Sequence, residues 1–78
     1  INPLVPIQFT VESHCKWIGK TAAETNFWQN TGATIVAIKR GEELIISPGP
    51  YIVFMENDIL LVVGDRYIYN SVPTFLYD

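Results

Sequence analysis

Hydrophobic and polar positions change period several times along the chain, and each change predicts an element. Residues 5–12 alternate, with Val5, Ile7, Phe9 and Val11 on one side and Gln8, Thr10 and Glu12 on the other. A period of two predicts a half-buried strand. Residues 13–20 read as a connection, with Trp17 and Ile18 folded onto the core and Gly19 turning the chain. Thr21-Ala-Ala-Glu24 has the spacing of a capping box, in which hydroxyl and carboxylate each satisfy a free N–H of the first helical turn. A short helix should follow, with Ala22, Ala23, Phe27 and Trp28 on its apolar side and Gly32 ending it in a left-handed conformation. Residues 34–39 and 44–46 are rich in β-branched and aliphatic side chains and read as two strands. Arg40, Gly41, Glu42 and Glu43 between them suit a hairpin loop of about 3–5 residues. Pro48-Gly49-Pro50 stops the second strand, because proline has no N–H for a ladder.

A short apolar segment, 51–55, and a polar turn, 56–58, come next. Ile59-Leu-Leu-Val-Val63 has no polar alternation, which predicts a central strand covered on both faces. Gly64-Asp65 ends it, and Asp65 can cap a helix. Tyr67, Ile68, Val72, Phe75 and Leu76 recur at helical intervals, with Pro73 expected to break or restart that helix. The reading is a small α+β domain with a mixed sheet: strand, helix, three strands and a terminal helix, grouped around the 34–46 hairpin.

Length and composition narrow this picture. Seventy-eight residues allow one domain, and 49% of them are hydrophobic. A core of this size supplies about 3–5 kcal/mol at most. Cys15 is the only cysteine and His14 the only histidine, so neither a disulfide nor a zinc site can staple the fold. Self-association is the remaining means, and a homodimer is expected. The net charge of −3 argues against a nucleic-acid surface. A local basic site for a small anion is still compatible with it, since Lys16, Lys20, Lys39 and Arg40 lie in the first half. No apolar run approaches the roughly 20 residues of a membrane span. No signal peptide is visible, and a lone cysteine fits a reducing cytoplasm. Residues 1–4 read as the end of a linker, with 5–78 as a domain cut from a longer protein.

An ordered set of segments carries a family resemblance: Ile18-Gly-Lys20, Asn26-Phe27, Thr31 to Arg40, Ser47-Pro48, and Asn57 to the Gly64-Asp65 pair. Together they resemble the C-terminal regulatory domain of RCK proteins, also called TrkA-C, over nearly the whole chain. The resemblance implies a cytosolic, dimeric, non-enzymatic module with no cofactor. Such modules sit on potassium uptake gating subunits, on potassium/proton antiporters and behind the DNA-binding domains of GntR-type repressors. The 26–32 segment and Ser47-Pro-Gly-Pro50 lean toward the repressor-attached kind. Several members bind cyclic di-AMP in a cleft between two protomers, and a two-fold ligand suits a two-fold dimer. The function implied is ligand sensing that controls potassium or osmolyte transport, or a transcription regulator of it. The alternative is a dimerisation module without a small-molecule ligand. The implied partners are a second copy, the second messenger, and an upstream domain or transporter subunit. No direct nucleic-acid contact and no membrane insertion are expected.

Carried over by alignment on 32–41, the implied ligand contacts are Asn26, Phe27, Trp28, Thr34, Ile35 and Pro50, with Pro48 nearby. Trp28 stands where some members carry arginine, Asn26 where they carry an acid, and Thr34 where they carry asparagine. A phosphate-binding charge is thereby lost, and an aromatic face able to stack on adenine is gained. Lys39, Arg40 and Lys20 are the cations available to replace that charge. Each residue also has a plainer role: Trp28 as a core or interface aromatic, Asn26 as a helix terminator, Thr34 and Ile35 as strand residues, and Pro48 and Pro50 as strand stops. Asp58 and Asp65 read as turn and cap residues. His14 beside Cys15 is no catalytic pair, since neighbours on an extended chain point apart and no third group orients them.

Overall fold

The computed structural model describes residues 5–78. The linker expected over 1–4 lies outside the described residues. Among those described, the strands are β1 (Ile7–Thr10), β2 (Thr34–Arg40), β3 (Glu43–Ile46) and β4 (Ile59–Val63). Helices α1 (Ala22–Thr25) and α2 (Phe27–Thr31) lie between β1 and β2, and α3 (Ile68–Tyr77) closes the chain. The α+β class and the element order are those expected, with the first helix split in two. The sheet runs β1-β4-β2-β3. Its pairings are antiparallel throughout rather than mixed. The last strand is the reason: β4 inserts between β1 and β2, which point the same way, and runs opposite to both.

The sheet is two-faced because side chains alternate along each strand. Ile7 and Phe9 lie opposite Val62 and Leu60, and Ile38 lies opposite Leu60 on the other side. Leu60, Val62 and Ile38 are fully buried on this face. The buried Ile68, Val72 and Leu76 of α3 join them in one core with Phe27, Phe54 and Phe75. On the opposite face Ile59, Leu61 and Val63 are only half-buried, and Leu44 and Ile46 are exposed. The central position expected for β4 is therefore observed, but a single chain covers only one of its faces.

Local rules account for most of the joints. The hairpin pairs Arg40 with Glu43, so its loop is only Gly41-Glu42, tighter than expected. Gly41 has φ 61°, which suits the first position of a two-residue turn. The capping box forms: the Thr21 hydroxyl accepts from the Glu24 N–H at 3.1 Å, and the Glu24 carboxylate accepts from the Thr21 N–H at 2.7 Å. Asn26, left-handed at φ 54°, bends the chain between α1 and α2. Trp17 packs as expected, its indole N–H donating to the Phe75 carbonyl at 2.7 Å, whereas Ile18 is exposed. The apolar 51–55 segment makes an isolated antiparallel bridge, Thr21 to Val53. Its neighbours extend the seam: Ala22 N–H donates to Ile52, Ala23 N–H to Pro50, and Phe54 N–H to Lys20.

Pro73 does not break α3. It costs the Tyr69 carbonyl its helical partner, and the buried stripe of Ile68, Val72, Phe75 and Leu76 holds the helix together across it.

Candidate functional site

The seam between 50–54 and 20–23 does more than close the fold. By tying the Pro50 carbonyl to the Ala23 N–H at 2.8 Å, it sets the Gly49-Pro50 bend beside α1. Helix α2 and the first residues of β2 supply the remaining walls. The result is a surface groove of about 430 Å³ lined by Ala22, Ala23, Phe27, Trp28, Gln29, Ala33, Thr34, Ile35, Gly49 and Pro50. Small residues on α1 leave the space, and Trp28 stands at its wall 63% exposed.

Five of the seven residues singled out from sequence, Phe27, Trp28, Thr34, Ile35 and Pro50, meet in this groove. Asn26 does not: it lines a second, more polar depression of about 820 Å³ between the α1–α2 bend and α3. Pro48 lines neither. Phe27 has two duties, since its ring is buried at 3% exposure and meets Phe75 edge-on with centroids 5.4 Å apart. Trp28 is no core aromatic in the single chain. Sequence reasoning missed Ala22, Ala23, Gln29, Ala33 and Gly49. The first two were assigned to packing, and the only signal that separates small core residues from groove-forming ones is the backbone path opposite them.

The electrostatics differ from what the turn positions implied. Arg40 is not a solvated turn charge. Its Nε and Nη2 donate to the two carboxylate oxygens of Asp58, each at 2.8 Å, and Nη2 also donates to the Val53 carbonyl at 2.8 Å. Asp58, fully buried, accepts a further bond from the Met55 N–H at 3.0 Å. The hydrogen bond to Asp58 raises the Arg40 guanidinium above its ordinary range against the opposing effect of burial, and the charges of Asp58 and Glu43 add to it. Arg40 is therefore committed to structure. Lys39, on the exposed side of β2, and Lys20 also lie outside the groove lining. Asp65 accepts from the Tyr67 N–H at 2.9 Å and so leads the chain into α3.

His14 and Cys15 point apart. The His14 ring stacks on Tyr77 at 4.5 Å, while the buried Cys15 sulfur faces the Trp17 N–H at 3.5 Å. Among the described residues, no group of three or more His, Cys, Asp or Glu side chains could hold a metal ion. Nor, among them, is any helix long and apolar enough to cross a membrane.

Comparison with known proteins places this geometry. The K(+)/H(+) antiporter subunit KhtT of Bacillus subtilis (strain 168) is 39% identical over 59 residues, covering 74% of this chain and 36% of KhtT. The chain thus spans about a third of that relative's length. Among solved structures, the RCK_C domain dimer of S. agalactiae BusR in complex with c-di-AMP superposes with a TM-score of 0.88 at 39% identity, covering 95% of this chain and 91% of that one. The RCK C domain of the potassium transport protein KtrA, also in complex with c-di-AMP, gives 0.74 at 30% identity, covering 92% and 79%. BusR has also been solved with its busAB-promotor DNA, so the expected exclusion of nucleic-acid contact is not supported. Residues 7–72 match the TrkA-C domain model. The chain belongs to the TrkA-C domain family, a family of regulatory domains and not of enzymes.

Proposed function

We propose that this domain is a cytoplasmic sensor of cyclic di-AMP. Two copies associate so that their α2–β2 grooves face one another, and one symmetric ligand bridges them. The observation that carries this reading is the groove itself. It gathers an exposed Trp28 with Thr34, Ile35 and Pro50, in a fold whose BusR counterpart was solved as a dimer with c-di-AMP. A two-fold ligand meets each groove residue twice. Phe27, Trp28, Thr34, Ile35 and Pro50 form the contact set, while Asn26 and Pro48 act on it through the backbone path. Ligand binding shifts the relative angle of the protomers only by its differential affinity for the two arrangements. An attached domain, or a transporter subunit for potassium or another osmolyte, reads that angle.

Isothermal titration with cyclic di-AMP, with cyclic di-GMP and AMP as controls, tests the proposal. Selective binding at one ligand per two chains is expected. Silence with all three ligands removes the sensor. The half-covered outer sheet face favours a second reading, a dimerisation module with an empty cleft. Trp28→Ala separates the two: weakened binding by an intact dimer supports sensing, and loss of the dimer supports packing.

A further inference from the structure

We infer that the groove recognises its ligand by stacking and neutral hydrogen bonds, leaving the ligand's phosphate charge to solvent rather than to protein cations. This rests on the nucleotide reading above and specifies how the same site selects. Among the described residues, no ionisable side chain lines the groove; its polar side chains are Gln29 and Thr34, both neutral. Of the large hydrophobic side chains that line it, Trp28 is the exposed one, at 63%.

The five cations of the chain are placed elsewhere. Arg40 is held by Asp58 at 2.8 Å. It also lies at the far end of β2 from Thr34, six steps of about 3.3 Å, or about 20 Å, away. Lys16 sits with its ammonium 5.3 Å from the Trp17 ring, beside the second depression. Lys20, Lys39 and Arg66 are exposed and outside the lining. A two-fold second copy adds another set of the same neutral lining residues. The net charge of −3 gives no long-range attraction for an anion.

The consequence is measurable, because ionic contacts are screened by salt and stacking is not. A phosphate clamped by Lys or Arg would bind more weakly as salt rises, because the Debye length falls from about 10 Å at 0.1 M to about 3 Å at 1 M. The experiment is titration of the protein with cyclic di-AMP at about 0.05 M and about 0.5 M KCl. The dissociation constant is expected to rise by less than about fivefold. Trp28→Leu is expected to weaken binding by at least about fivefold, since base stacking is lost. Lys20→Gln should bind as the parent does. A rise of fivefold or more with salt, or a Lys20→Gln variant that binds markedly more weakly, overturns the neutral-recognition inference and leaves the sensor standing. Full affinity in Trp28→Leu also overturns it. No binding at either salt concentration overturns the sensor reading and the inference with it.

Discussion

The Asp58 carboxylate is fully buried, and two guanidinium N–H groups and the Met55 N–H converge on it. Truncating it leaves Arg40 without a partner and removes the clasp between β2 and the 53–58 segment. Loss of one partner from a buried pair costs about 3–5 kcal/mol. Arg40 retains 28% side-chain exposure, so solvent recovers part of that. Urea denaturation of Asp58→Ala is therefore expected to give a loss of about 2–3 kcal/mol. This pair was not legible in the sequence: two charges 18 residues apart, each beside a turn, look like ordinary turn residues until β2 and β4 are in register. Tyr77 makes a second long-range link, donating to the Thr10 carbonyl and accepting from the Glu12 N–H at 3.0 Å. Burial raises its phenol above the usual 10.0, with the Glu12 backbone bond opposing. The folded state then holds the phenolic proton more tightly than the unfolded state. Its contribution is complete below about pH 10 and is lost as pH rises through the higher folded value. Melting of the parent should therefore fall between about pH 9 and about pH 11 by more than melting of Tyr77→Phe, which costs about 1 kcal/mol at neutral pH.

At the scale of elements, the joints that follow local rules were the legible ones. Thr21-Ala-Ala-Glu24 and Gly32 specify caps within a few residues, and both caps form as expected. The break at Asn26 was less legible, because asparagine serves equally as terminator, turn residue or ligand contact. Its φ of 54° gives it a backbone role, since asparagine adopts the left-handed region at low cost and β-branched residues do not. Asn26→Gly should keep the fold within a few tenths of a kcal/mol, while Asn26→Val should cost about 1–2 kcal/mol. Thermal melts of the two variants check this. If both lose stability equally, the side chain rather than the conformation is what matters. The bend also separates Asn26 from Trp28: one faces the polar depression and the other the groove. Pro73 shows the opposite case, a strong local rule overridden by tertiary packing, because four buried residues of α3 outweigh one lost hydrogen bond.

At the scale of the molecule, the unbroken apolar run of β4 predicted cover on both faces, and the single chain supplies it on one. The exposed Leu44 and Ile46 and the half-buried Leu61 are surface that a lone 78-residue domain holds at a cost to its solubility. A second copy that covers this face would couple folding to association, and the midpoint should then rise with protein concentration. A ligand that bridges two copies would add to this coupling by mass action. Free cyclic di-AMP at about a hundred times its dissociation constant should stabilise the bound dimer by about 2.7 kcal/mol, and each further decade by about 1.4 kcal/mol. Scanning calorimetry at several protein and ligand concentrations distinguishes the two contributions. With ligand absent, the midpoint moves with protein concentration alone. With ligand saturating, a bridged dimer should melt later at every protein concentration, because the ligand binds the folded dimer and not the unfolded chains. Stabilisation that saturates at one ligand per two chains marks the bridge, whereas saturation at one ligand per chain would mean two independent sites and would place the cleft within each protomer rather than between them.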